Sequence, residues 1–250
     1  MDSGPDPRTS NRGDPAAFRT THWSAVLAAG DPAHPGGPEA LAELCETYWF
    51  PLYAFVRRKG HSPAEAEDLV QEFFARLVEK NYVQQADPSR GRFRTFLLAA
   101  LTHFLANAWN REQTLKRGGA SPVVSWDART AEERYAREPF HELTPEKLFD
   151  RRWAIRVLER VHERLRKDYG ASGKTELFDT LEPCLSGDSL PATYVAIGQR
   201  LKMSEGAVKV AVHRMRRTYG ELVRLEIAQT VASPQEVDEE LRHLFEVLRE

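Results

Sequence analysis

The sequence predicts an all-α protein made of two small helical domains joined by a flexible linker. Three observations carry this expectation. Apolar residues recur at three- and four-residue spacings along most of the chain, which is the period of amphipathic helices. No segment shows strict two-residue alternation bounded by Asn-Gly or Asp-Gly turns, so a sheet is not expected. Between about Lys116 and Thr144 the periodicity lapses into KRGGASP, a charged patch and isolated aromatics, the pattern of a connector. With 250 residues and 41% hydrophobic content, the chain is long enough for two cores.

The elements follow in order. Residues 1–20 have the polar, Pro/Gly-rich composition of a disordered tail. Thr21 is placed to cap a short helix around Trp23 to Ala29. After the breaker stretch DPAHPGGP, Leu41, Leu44, Cys45, Tyr48, Leu52, Phe55 and Val56 mark a longer helix that Pro51 is expected to bend. The next helix has a full start signal: Ser62 to cap, Pro63 at the first helical position, and Glu65 to complete the S-x-x-E capping box. Its apolar stripe is Ala66, Leu69, Val70, Phe73 and Leu77. Its other face carries Glu65, Asp68, Gln71, Glu72 and Arg76. A further helix follows Gly91, from about Phe93 to Thr114, with Phe96, Leu97, Ala100, Leu101, Phe104, Leu105 and Trp109 available for packing.

Beyond the connector, Thr144-Pro145-Glu146 caps a helix whose stripe is Leu148, Trp153, Ile155, Val157, Leu158, Val161 and Leu165. A second stretch runs from about Lys174 to Cys184. Residues 191–222 contain two helical segments split at Lys202-Met203, with Ser204 placed to cap the second. Ile197 and Leu201 can pack against Val208, Val212, Met215, Tyr219 and Leu222, leaving Lys209, His213, Arg216 and Arg217 on the opposite face. Long cations in that position suit phosphates and guanine edges in a major groove. Ser233-Pro234 starts a last helix with Val237, Leu241, Leu244, Phe245 and Leu248 on one side and Glu236, Asp238, Glu239, Glu240 and Glu246 around it. The domain boundaries implied are 21–115 and 146–230, with a linker over 116–145 and an acidic amphipathic helix over 231–250.

Charge and composition narrow the function. The net charge is only −2, but its distribution is uneven. Arg90, Arg92, Arg94, Arg111, Lys116 and Arg117 face only Asp87 and Glu112 in one stretch; Arg200, Lys202, Lys209, Arg214, Arg216 and Arg217 face only Glu205 in another. Such islands are the footprint of nucleic-acid contact. The two cysteines, Cys45 and Cys184, show no metal-ligand or disulfide spacing, so neither a cofactor nor a metal is expected. No run of eighteen apolar residues is present, and a cytoplasmic, membrane-free protein is expected. His22, His103 and His141 stand outside any HExxH, nucleophile-elbow or phosphate-loop motif, which argues against an enzyme.

Three stretches together resemble the extracytoplasmic-function (ECF) class of bacterial RNA polymerase sigma factors, of the sigma-70 family. AEAEDLVQEFFARLVEK (64–80) resembles the helix that grips the β′ clamp of the polymerase. GRFRTFLLAALTHFLANAWNREQ (91–113) resembles the promoter-melting segment. AIGQRLKMSEGAVKVAVHRMRR (196–217) resembles the helix-turn-helix that reads the upstream promoter element. The resemblance implies a sigma-2-like domain followed by a sigma-4-like domain, with core RNA polymerase (β′ clamp helices and β flap) and promoter DNA as partners. It also implies restraint by a regulator such as an anti-sigma protein, and a free chain that is monomeric. It assigns Asp68, Gln71, Glu72 and Arg76 to polymerase binding. Ser89, Arg90, Arg92, Phe93, His103 and Asn107 fall to the downstream element and its melting, where an extruded base is held by stacking and phosphate contact. Phe93, Phe96 and Trp109 are the aromatics in question, with Phe96 assigned to the core and Phe93 open between core packing and stacking. Ser204, Glu205, Lys209, His213, Arg214, Arg216 and Arg217 fall to the upstream element.

The departures lie where base specificity is set. His103 stands where many members place an asparagine, and Val210 and Ala211 stand where polar or basic side chains are common. The stretch from Asp168 to Pro191 is longer than the usual lead-in and lacks the familiar leucine-proline turn. Two rivals are weighed: a helix-turn-helix regulator acting without polymerase, which would lack a use for the 64–80 face, and an enzyme, for which no motif is present. For the acidic last helix the expectation is packing on the second domain, with masking of the recognition helix as the sharper alternative.

Overall fold

The computed structural model describes residues 23–31, 33–79, 83, 86–87, 91–114, 128–136, 143–185, 193–231 and 233–249. The expected tail, Thr21, most of the connector, Ser89 and Arg90 lie outside them. The described residues form ten α-helices and no strand: α1 (Trp23–Gly30), α2 (Gly37–Arg58), α3 (Pro63–Glu79), α4 (Phe93–Thr114), α5 (Ala128–Tyr135), α6 (Pro145–Ala171), α7 (Thr175–Leu181), α8 (Tyr194–Leu201), α9 (Glu205–Ala228) and α10 (Val237–Arg249). The all-α expectation holds.

Local chemistry sets the helix starts. The Ser62–Glu65 box closes in both directions, Glu65 N–H to Ser62 Oγ at 3.4 Å and Ser62 N–H to Glu65 Oε2 at 2.8 Å. Thr144, Thr193 and Ser204 accept the amides of Lys147, Ala196 and Ala207 through their hydroxyls. Gly91 enters α4 at φ +119°, a backbone conformation that side chains oppose.

α2 is the centre of the molecule. Tyr48 to Val56 are all buried, with no polar face left, which requires neighbours all round. α1, α3, α5 and α6 supply them. Pro51 sits inside this helix without ending it. An aromatic cluster ties four helices: Phe93 of α4 meets Trp23 of α1 at 6.0 Å and Tyr48 of α2 at 5.6 Å, and Tyr48 stacks on Phe149 of α6 at 6.4 Å.

Within the span read as a linker, residues 128–135 form α5, which docks on the first unit. Tyr53 Oη donates to Glu132 at 2.7 Å, and Arg57 donates to both oxygens of the same carboxylate at 2.9 and 2.7 Å. Ala131 and Tyr135 are the buried apolar pair, too few to raise a periodic signal. α6 packs on α2 and also on α9 and α10. Arg160 of α6 joins these layers, bonding Glu43 at 2.5 Å and Thr47 at 2.9 Å on α2 and standing 3.7 Å from Glu226 on α9. One continuous set of buried side chains therefore runs from α1 to α10.

α10 is rotated from its expected register. Val237, Glu240, Leu244 and Val247 are buried, Leu241 and Leu248 are half-buried, and Phe245 is 52% exposed. A carboxylate thus occupies the inward stripe where Phe245 was expected.

Candidate functional site

The α3 face expected to meet a partner is solvent-facing opposite the buried Ala66, Val70, Phe73, Phe74 and Leu77. Asp68 is exposed. Gln71 donates to Glu67 at 3.2 Å, and Glu72 pairs with Arg76 at 2.6 Å. The Arg76 guanidinium also lies 5.2 Å over the ring of Phe104, which joins α3 to α4. Burial, then the charge of Asp68, raise the Glu67 carboxyl above its ordinary value. A face carrying Glu67, Asp68 and Glu72 gains from an approaching cation.

On α4 the assigned residues divide. His103 and Asn107 are both exposed, one turn apart, with the Asn107 amide 3.2 Å from His103 Nδ1. Trp109 extends the same helix with 61% of its surface exposed, an aromatic face open to a base. Phe93 is core, 3% exposed within the aromatic cluster, so it offers no stacking face. Phe96 packs on it at 6.0 Å, as expected. Arg92 is engaged, its Nε 2.7 Å from Glu240 of α10.

α8 and α9 form two helices joined by a short turn. Lys202 takes the left-handed conformation, φ 54°, and ends α8. Gly198 allows the close approach: a Cβ there would lie 2.7 Å from the Met203 carbonyl oxygen. Ile197, Val208, Val212, Met215 and Leu222 are buried. His213 and Arg214 are exposed, as are Lys209, paired with Glu205 at 2.6 Å, and Arg217, 3.4 Å from Glu221. Pairs this exposed are weak because solvent screens them, so a phosphate can displace either carboxylate. Arg216 differs, because its Nε donates to the Cys184 carbonyl at 2.8 Å and holds the turn after α7.

The residues that sequence reasoning passed over are Glu240, Arg94, Asp150 and Glu226. Glu240 is fully buried. It contacts Arg92 and, through both oxygens, Arg94, whose Nη2 donates at 3.2 Å. Arg94 also pairs with Asp150 of α6 at 3.2 Å and lies 4.2 Å over the Trp153 ring. Burial above all, with the charge of Arg92 behind it, brings the Arg94 guanidinium down to about 10. Burial opposes ionisation of Asp150, yet His243 and Arg94 hold its carboxyl below the ordinary value. A signal was present: Val237, Glu240, Leu244 and Val247 are spaced three, four, three, a core stripe with one acid in it.

Neither thiol is poised for chemistry; burial, with Glu46 adding, pushes Cys45 up to about 11, and burial raises Cys184. No described helix is long and apolar enough to cross a membrane.

Residues 45–114 match the family model for Sigma-70 region 2. The span begins inside α2 and ends with α4, so it takes in the acidic face of α3 and the exposed face of α4. No curated protein and no solved structure matches the chain significantly. The match supports a sigma-70 family role in RNA polymerase binding and promoter recognition, a role in transcription initiation that involves no catalysis of its own.

Proposed function

We propose that this chain, with its Sigma-70 region 2 match, is a two-domain sigma factor of the ECF type that binds core RNA polymerase and directs it to promoters. The observation that carries the reading is one of order along a single chain. A region 2 match over 45–114 is followed by a capped pair of helices, α8 and α9, with Lys209, His213, Arg214 and Arg217 exposed. In this reading residues 21–115 hold polymerase and open DNA, and 146–230 recognise the upstream element. Asp68, Glu72 and their neighbours Gln71 and Arg76 meet basic groups of the β′ clamp helices, and the second unit sits near the β flap. His103, Asn107 and Trp109 face the opened strand, where stacking of a base on Trp109 offsets part of the unpairing cost. Arg214 and Arg217 contact phosphates or guanine edges upstream. Such a factor works in the cytoplasm, needs no cofactor, and is free as a monomer until polymerase or an anti-sigma protein takes it.

Reconstitution with core polymerase tests the reading. The chain is expected to bind core enzyme and to start transcription from a subset of a promoter library. Asp68→Lys with Glu72→Lys is expected to weaken core binding at least tenfold while leaving the fold intact by circular dichroism. Binding to DNA with no affinity for core polymerase would instead identify a regulator that acts without it.

A further inference from the structure

We propose that Arg92 and Arg94 form a phosphate-binding pair at the start of α4, and that Glu240 of the C-terminal helix α10 occupies it in cis, as a carboxylate plug that DNA must displace. The proposal rests on the promoter-opening reading of this segment.

The register of α10 is the first argument. A helix that only needed to cover α6 and α9 would turn Phe245 inward and its acids outward. Here Phe245 is left 52% exposed and Glu240 is taken fully out of water. Burying a carboxylate is costly unless cations meet it with good geometry. The cations that pair with it are Arg92 and Arg94, from a segment about 150 residues earlier in the chain. The register is therefore set by the two arginines.

Position is the second. Arg92 immediately precedes α4, and Arg94 lies in its first turn. They stand directly after the loop assigned to base capture, within the basic island that reads as a backbone contact. A carboxylate bonded to two guanidiniums presents the same acceptor pattern as a phosphate, so the two compete for one place. Asp150 retains Arg94 when Glu240 leaves, at 3.2 Å.

Selectivity is the third. α10 packs on α6 and on the C-terminal part of α9, where Arg224 pairs with Asp238 at 2.7 Å. Lys209, His213, Arg214 and Arg217 remain exposed. The acidic helix closes the promoter-opening end and leaves the upstream-reading end free, which is not the masking of the recognition helix that its charge alone suggests.

The test compares wild type with Glu240→Gln, near-isosteric but neutral, using anisotropy of a fluorescein-labelled single-stranded oligonucleotide at several salt concentrations. The substitution is expected to tighten binding by roughly three- to tenfold and to steepen the salt dependence, because Arg92, released beside an Arg94 that Asp150 still holds, adds a phosphate contact. Adding Arg92→Ala to Glu240→Gln is expected to return affinity to near the wild-type level. A second measurement needs no substitution: in wild type saturated with the oligonucleotide, amides of residues 237–249 are expected to exchange about tenfold faster as α10 is displaced. Affinities for wild type and Glu240→Gln within about twofold of each other, or exchange of α10 unchanged on saturation, would overturn the plug. Core-polymerase binding measured on the same proteins reports separately on the sigma reading: loss of that binding with the DNA effect intact sinks the function and leaves the plug standing.

Discussion

Glu226 and Glu132 show how two carboxylates in one fold respond oppositely to pH. Burial raises the Glu226 carboxyl to about 7 although Arg160 and Arg164 pull the other way. The unfolded chain releases this proton near the ordinary value of 4.5, the folded chain only near 7. Between those values the folded state holds the extra proton, so stability falls as pH rises through the window, and the loss is complete above it. Glu226→Gln is expected to flatten the fall in unfolding free energy between about pH 5 and pH 8 by of order 2 kcal/mol, read from urea titrations at both values. An unchanged slope would clear Glu226 of the effect. Glu132 runs the other way, its carboxyl lowered by the hydrogen bond from Arg57 against the opposing effect of burial. Its contribution is present above the ordinary carboxylate range and lost on acidification. Glu132→Ala takes the acceptor from the buried Tyr53 hydroxyl and is expected to cost about 1–2 kcal/mol at neutral pH, measured by the denaturant midpoint.

At the scale of elements, the α8–α9 turn offers three substitutions with different signs. Ser204→Ala removes the cap on the Ala207 amide and is expected to cost about 1 kcal/mol. Gly198→Ala drives a methyl to within 2.7 Å of the Met203 carbonyl oxygen, a backbone atom that cannot swing aside, and is expected to cost more. Lys202→Gly relieves the left-handed backbone at φ 54° and is expected to raise stability by about 0.5–1 kcal/mol. Thermal unfolding of the three variants checks the ordering. The sequence already located this turn, because capping and turn residues act on their immediate neighbours. α5 was missed for the converse reason: its hold on the fold is Glu132 reaching Tyr53 and Arg57, residues far away in the chain.

For the whole molecule, α2 and α6 act as a shared spine, with Trp153 buried among them and Arg94 lying over its ring. Trp153→Ala is expected to cost about 3–5 kcal/mol. Because one core runs through both halves, hydrogen exchange should speed up in α3 and α9 together, with a single unfolding transition. Faster exchange confined to one half would mean that the halves are held independently.

What the sequence determined by itself was local: the helical class, the caps at Ser62, Thr144 and Ser204, the buried stripes of α3 and α9, and the two basic islands. Each follows from spacing within a turn or two of helix. Only the tertiary structure decided which of those side chains are engaged within the fold. Arg92 and Arg94 are spent on Glu240, Arg216 on the Cys184 carbonyl, and Phe93 on the core, while His103, Trp109 and Arg214 lie exposed on the surface. Charge is countable in a sequence, but its partner is a matter of distance. A carboxylate at position 240 meets guanidiniums at 92 and 94 only after the helices between them have packed.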